Sequence, residues 1–139
     1  MKIAILTFEG FNELDSFIAL GILNRMRSKG WSTEITSSSP HITSMNGVKI
    51  QAQQPLEFAN NADVVLFGSD IKTREIADDL KLLSSLHPDP SRQLIGAQCS
   101  GTLLMAKMGL NDYRHITLIA PHGSGKGVCL VIPSLLAFE

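Results

Sequence analysis

Short apolar runs alternate along the chain with longer segments in which apolar residues recur at helical spacing. Three of the runs predict strands: KIAILTF (2–8), ADVVLFG (62–68) and QLIGAQ (93–98). WSTEIT (31–36) alternates apolar and polar residues and predicts a further strand. HITSMNGVKIQAQ (41–53) predicts a small hairpin that turns at Asn46-Gly47, a pair that favours two-residue hairpin turns.

Helical spacing is found in the segments between these strands. The first such segment runs from Leu14 to near Gly30, and its apolar positions are Leu14, Phe17, Ile18, Ile22 and Met26. Thr73 is expected to cap a second helix, whose apolar face consists of Ile76, Leu80, Leu83 and Leu86. The prolines at 88 and 90 end this helix, because proline cannot continue helical hydrogen bonding. GTLLMAKMGL (101–110) predicts a short, mostly buried helix.

This alternation predicts an α/β fold: a flavodoxin-like three-layer sandwich with a mainly parallel sheet and a small inserted hairpin. Right-handed crossovers place every strand-to-helix turn at the same edge of such a sheet, where ligands bind. Three turns that are distant in sequence are therefore expected to converge in space: EGFNELD (9–15), GSDIKT (68–73) and QCSGT (98–102).

Length and composition favour a single globular domain over residues 1–139, with 44% apolar and 18% charged residues. The formal net charge is −1, so there is no basic field to bind nucleic acid or an anionic membrane surface. The two cysteines form neither a disulfide framework nor a zinc motif, and no metal site is expected. No apolar run has the length of a secretory signal or a membrane span, which predicts a cytoplasmic protein.

The stretch AQCSG (97–101) places Cys99 between a predicted strand and a predicted helix. Unpaired N–H groups at a helix N-terminus favour a thiolate over a thiol, and the small residues Ala97 and Gly101 permit a sharp turn. Glycines have the same function in the nucleophile elbow of serine hydrolases. Cys99 is accordingly either a nucleophile at such an elbow or a small buried structural side chain.

Asp15 is the candidate acid. If the first helix begins after Asn12, Asp15 occupies its third position, where it can act as a capping-box acid. The alternative is a carboxylate near the thiol that transfers protons or holds an ordered water. Glu13 and Glu9 compete with Asp15 for that second role.

Gly68-Ser69 and Ser100 are candidate hydrogen-bond donors. A glycine directly after a buried strand lets backbone N–H groups turn toward a ligand and form an oxyanion site, although an ordinary tight turn has the same pattern. Ser100 either donates a hydrogen bond to the thiolate or the substrate, or caps the helix that follows it.

The histidines and the glycine-rich tail give weaker indications. His41 and His87 are expected at the surface, and neither His115 nor His122 can be paired with Cys99 from the sequence. HGSGKG (122–127) departs from the phosphate-loop template, because it lacks the first glycine and has glycine after the lysine where serine or threonine is required.

Taken together, four stretches resemble the ThiJ/PfpI family of the class I glutamine amidotransferase-like folds: FEGFNELDSF (8–17), SMNGVKI (44–50), VVLFGS (64–69) and LIGAQCSGTLLMAKMGL (94–110). The resemblance covers about residues 2–110. It implies that Cys99 is the family nucleophile, that Asp15 is the acid that approaches it, and that Gly68-Ser69 is the turn that supplies backbone N–H groups.

A cysteine followed by a hydroxyl residue, together with ELD (13–15), is most similar to the isonitrile hydratase branch. That resemblance implies water addition to an isonitrile to give an N-substituted formamide, with no metal or organic cofactor. It also implies a small-molecule substrate and a homodimer. The alternative within the same fold is a non-enzymatic small-molecule sensor or binding domain.

The chain departs from the family at three places. Ser100 replaces the histidine that follows the cysteine in the peptidase-like and chaperone-like branches, and the family's glycine pair reads Gly68-Ser69 here. The tail 111–139 does not resemble the family's further strands and closing helix. A truncated gene, or a reading frame shifted near residue 111, is therefore expected, and either change could leave the protein inactive; the downstream coding DNA tests this.

Overall fold

The computed structural model describes residues 1–110. The strands of its central sheet are β1 (Lys2–Leu6), β2 (Ser32–Ser37), β5 (Gln54–Pro55), β6 (Val64–Phe67) and β7 (Leu94–Ala97). They lie in the order β5-β2-β1-β6-β7, and every neighbouring pair is parallel. The inserted hairpin pairs β3 (His41–Thr43) with β4 (Lys49–Gln51) in antiparallel fashion. The α-helices are α1 (Glu13–Leu23), α2 (Thr73–Asp78), α3 (Leu80–Leu83) and α4 (Gly101–Lys107).

The sheet is buried on both faces because successive side chains of a strand point to opposite sides. In β1, Ile3 and Ile5 join one apolar cluster, which includes residues of α1 and the hairpin. Ala4 and Leu6 join the cluster on the other face, which includes residues of α2 and α4. The predicted α/β sandwich, with its parallel sheet and inserted hairpin, is confirmed.

Helix α1 begins where the sequence predicts, but it buries a different face. Asn12 is the N-cap, and its side-chain oxygen accepts a hydrogen bond from the N–H of Leu14 at 3.1 Å. The buried residues of the helix are Ser16, Ala19 and Leu23. Leu14, Phe17 and Ile18, which mark its predicted apolar positions, are exposed. A 3-10 helix (Asn24–Lys29) then leads to Gly30, whose φ is 79°.

The prediction of a single helix from Thr73 is wrong, because the helix is interrupted at Asp79. Asp79 has ψ of 86°, and its side chain caps the separate helix α3 by accepting from the N–H of Leu82. Leu80, predicted on an apolar face, is 79% exposed. Thr73 is not a cap, because its hydroxyl donates to the Asp70 carbonyl instead.

Among residues 1–110, no helix is both long and apolar enough to cross a membrane. The predictions for the tail, with His115, His122, Cys129 and the HGSGKG stretch (122–127), lie outside the described residues.

Candidate functional site

Cys99 lies in a tight turn between β7 and α4 and is partly exposed. Its φ is 48°, and it is the only residue other than glycine with a positive φ in the described part of the chain. Left-handed backbone costs an L-residue about 1–2 kcal/mol. Strain of this kind is concentrated at functional sites, where the surrounding structure maintains it.

The surrounding structure presses this turn against the end of β6. A Cβ built on Gly101 would lie 2.5 Å from the carbonyl oxygens of Phe67 and Gly68, and one built on Gly68 would lie 2.6 Å from the Leu6 oxygen. The Gln98 N–H also donates to the Phe67 carbonyl at 2.8 Å. Both glycines are therefore required by close backbone approach, and the elbow predicted from the sequence has the expected geometry.

The backbone N–H groups of the turns after β6 and β7 differ from the prediction at Gly68. The Gly68 N–H donates to the Leu6 carbonyl at 2.9 Å, so it belongs to the sheet edge rather than to an oxyanion site. Within residues 1–110, the structure shows no hydrogen-bond acceptor for the N–H groups of Ser69 and Ser100. Unlike the Gly68 N–H, these two N–H groups are not used by the described part of the fold.

Asp15 is joined to the elbow through both its side chain and its backbone. Its Oδ2 accepts a hydrogen bond from Ser69 Oγ at 2.5 Å and lies 3.5 Å from Asn12 Nδ2. Its carbonyl accepts from Gln98 Nε2 at 3.2 Å, which ties the helix to the residue before Cys99. The capping-box interpretation is wrong, because the Asn12 N–H donates to the Ser69 carbonyl at 2.8 Å.

Ser100 turns its hydroxyl toward the loop after β6. Ser100 Oγ lies 2.8 Å from Thr73 Oγ1 and 3.2 Å from the Asp70 carbonyl, and it accepts from the Asp70 N–H at 3.3 Å. Its side chain makes no capping hydrogen bond to α4, so the capping interpretation of Ser100 is also wrong. The three predicted turns do converge.

The competing acids Glu9 and Glu13 both accept hydrogen bonds from residues of the hairpin segment. Glu9 Oε2 accepts from the Thr43 N–H at 2.8 Å, and Glu13 Oε1 accepts from Ser44 Oγ at 3.1 Å. A hydrogen bond from its own backbone N–H is the main cause that lowers the pKa of the Glu13 carboxyl. Of the three acids that the sequence offers for this role, Asp15 is therefore the one that is hydrogen-bonded to the elbow.

Asp70 is a candidate that the sequence analysis missed. Its side chain is buried, and it follows Ser69 in the turn that contacts Ser100. Burial raises its pKa to about 6, while the nearby Thr73 hydroxyl and Lys72 N–H oppose the rise. The only signal in the sequence is an acid directly after a glycine turn.

Neither histidine of the described part approaches this turn in the hydrogen-bond network. His41 is exposed in β3, and the exposed His87 donates its N–H to Asn60 Oδ1. Residues 1–110 contain no group of three histidine, cysteine or acidic side chains that could hold a metal ion.

Solved structures that share this fold include proteins described as DJ-1, as a DJ-1 superfamily protein and as a ThiJ/PfpI family protein. A ThiJ/PfpI family protein from Pseudomonas syringae matches with a TM-score of 0.63 and 22% identity, over 78% of this chain and 46% of that one. Schizosaccharomyces pombe DJ-1 matches with a TM-score of 0.63 and 15% identity, over 81% and 65%. A mutant of a DJ-1 superfamily protein from Salmonella typhimurium matches with a TM-score of 0.64 and 20% identity, over 78% and 61%.

The chain therefore shares the fold of this superfamily and spans less than two thirds of the length of these three proteins. A family model described as "Type IV secretory system Conjugative DNA transfer" matches residues 76–139, which is less than half of the chain. Of these residues, 76–110 form the last helices and the edge strand β7 of the fold described above. No curated protein matches the chain.

Proposed function

We propose that this chain derives from a cysteine-dependent hydratase or hydrolase of small molecules, with an isonitrile as the leading substrate class. The observation that carries the proposal is the strained Cys99 turn, seated on the end of β6 beside the tethered Asp15.

In the proposed reaction, the Cys99 thiolate attacks the terminal carbon of the isonitrile and forms a carbon–sulfur bond. A proton added to that carbon gives a thioimidate, and water then adds to the same carbon. Loss of the thiolate leaves the N-substituted formamide, so one water is consumed and Cys99 is regenerated.

Asp15 is the group proposed to deliver the water or the proton in these steps. Ser69 Oγ donates a hydrogen bond to Oδ2 of Asp15, which leaves Oδ1 of Asp15 to accept a hydrogen bond from a water molecule. The N–H groups of Ser69 and Ser100 stabilise negative charge that develops on the reacting group. Ser100 contributes its backbone here, because its hydroxyl is held by Thr73 and Asp70.

The first prediction concerns Cys99→Ala. Formation of formamide from an alkyl isonitrile is expected to fall to the uncatalysed background, because no other group replaces the thiolate, and Cys129→Ala is the matched control. Formamide is measured by chromatography, and glyoxals are assayed in parallel. Equal rates for wild type and Cys99→Ala would exclude Cys99 as the nucleophile. Saturable isonitrile binding without turnover would favour the alternative, a sensor or binding domain.

We further propose that the protein is a homodimer, with a second copy on the exposed face of α1. Leu14, Phe17 and Ile18 are exposed by 66%, 36% and 39% and lie within two turns of the same helix. The helix also carries Asp15, so a partner copy would lie next to the site.

The second prediction is that the double substitution Leu14→Glu and Ile18→Glu converts this dimer to a monomer, because it buries two charges in an apolar contact. Sedimentation equilibrium at micromolar protein measures the change. Leu80→Glu on α3, at a residue that is 79% exposed, is the matched control and is expected to leave the mass unchanged. A monomeric wild type would contradict the proposal.

A further inference from the structure

The carboxylate of Asp70 is a buried polar group near the elbow. Its residue is 8% exposed, and neither of its oxygens makes a hydrogen bond of good geometry among residues 1–110; the Thr73 hydroxyl and the Lys72 N–H are near enough only to oppose part of the rise in its pKa. An unpartnered buried carboxylate is destabilised as the anion and accommodated as the neutral acid. The proposed reaction does not use it.

The backbone of Asp70 holds the residue that follows the nucleophile. Its N–H and its carbonyl both contact Ser100 Oγ, at 3.3 and 3.2 Å. Thr73 Oγ1 closes the turn, because it donates to the Asp70 carbonyl at 2.7 Å and lies 2.8 Å from Ser100 Oγ. The position of Ser100, and with it the strained Cys99, therefore depends on the turn 70–73.

The charged groups around Asp70 do not neutralise it. Lys72, Arg74 and Glu75 line the same cavity of about 550 Å³, and Glu75 adds to the rise of the Asp70 pKa. The described residues show no ion pair between Asp70 and a lysine or an arginine. Helix α4 contributes only the uncharged Leu103 to this cavity, and Asp70 pairs on its other side with the backbone of Phe11.

We propose that Asp70 is a positioning residue of the cysteine elbow, which as the neutral acid keeps the turn 70–73 closed on Ser100 and as the anion opens it. An anion in this turn must acquire water or a cation, and the Ser100 contacts are the bonds that such a rearrangement breaks. That rearrangement lowers the reactivity of Cys99, so this inference rests on the proposed role of that cysteine.

The third prediction tests this with Asp70→Asn, which keeps the shape of the side chain and removes its charge. The rate of Cys99 alkylation by iodoacetamide is measured from pH 5 to 8.5 in a Cys129→Ser background. Dividing the alkylation rate of the variant by that of the wild type at each pH cancels the ionisation of the Cys99 thiol, which both proteins share. The ratio is expected to be close to one at pH 5, to rise through about pH 6, and to reach roughly threefold or more at pH 8.

Asp78→Asn is the matched control, because Asp78 lies at the exposed end of α2 with its side chain 74% exposed. Its ratio is expected to stay near one at every pH. A ratio for Asp70→Asn that does not change with pH would overturn the proposal, even if the variant differs in stability. A wild-type Cys99 that reacts no faster than free cysteine would instead contradict the proposed function.

A second measurement covers the case in which Asp70→Asn does not fold. In the wild type, the ¹³C NMR shift of the Asp70 carboxyl and the amide shifts of Thr73 and Ser100 are followed against pH. They are expected to change with a common midpoint near 6. If the amide shifts of Thr73 and Ser100 stayed constant while the Asp70 carboxyl titrated, the turn 70–73 would not respond to the ionisation of Asp70.

Discussion

Replacing Gly101 by alanine is expected to lower the free energy of unfolding by about 3 kcal/mol, because the new methyl group overlaps backbone atoms that cannot move aside. Its Cβ would lie 2.5 Å from two carbonyl oxygens, those of Phe67 and Gly68. Side-chain rotation cannot relieve contacts with the backbone of a central strand. The elbow must therefore separate from β6, which moves Cys99 relative to Ser69 and Asp15.

Gly21→Ala is the matched control for this substitution. Gly21 lies in α1 with no atom of its own chain within 4 Å of a built Cβ, so in the monomeric Leu14→Glu, Ile18→Glu variant alanine is expected to add about 1 kcal/mol of stability through its helix propensity. The two variants thus make the same chemical change with opposite sign. Thermal unfolding followed by circular dichroism measures both, and an unchanged melting temperature for Gly101→Ala would show that the elbow is not packed against β6.

The convergence of the three turns was predictable from sequence, because it follows from the order of elements alone. Strands that alternate with helices form a parallel sheet, and its strand-to-helix turns share an edge. Cys99, Asp15 and the Gly68 turn could be assigned to one site on that basis without any contact being known.

The buried face of α1 was not predictable from its apolar spacing. Ser16 lies at the centre of that face, where its hydroxyl lies 3.5 Å from that of Thr7, and the small Ala19 follows it. The close approach of Ser16 to Thr7, directly after β1, and to Gly68, directly after β6, favours small residues there. The larger Leu14, Phe17 and Ile18 are consequently left outside, on the face that we propose for a second copy.

The hydrogen-bond partners of individual side chains could not be predicted from the sequence either. The sequence offered Gly68-Ser69 for its backbone N–H groups and Ser100 as a donor to the thiolate or the substrate, yet the Ser69 hydroxyl binds Asp15 and the Ser100 hydroxyl binds the turn 70–73. A hydroxyl's partner depends on distances of a few tenths of an ångström between segments far apart in the chain. For the same reason the burial of Asp70, which follows a glycine turn like many exposed acids, gave no signal.

The stability of the wild type is expected to fall as pH rises from about 4 to above 6, owing to Asp70. Its pKa is raised from an ordinary value of 3.8 to about 6 by burial, so the folded state holds a proton that the unfolded state has already released. The stabilising proton is fully present below the unfolded value and is lost as pH rises through the folded value. A shift of this size corresponds to roughly 2–3 kcal/mol at pH 8.

Asp70→Asn is expected to remove this dependence. Relative to wild type, the variant should gain roughly 2–3 kcal/mol between pH 4 and pH 8, because asparagine does not ionise. Urea unfolding at both pH values measures the difference, and Asp78→Asn, which breaks only a surface ion pair with Lys107, should show little of it. If the free energies of unfolding of wild type and Asp70→Asn declined in parallel, the Asp70 carboxyl would be solvated in the folded state. The turn 70–73 could then not depend on the protonation of that carboxyl.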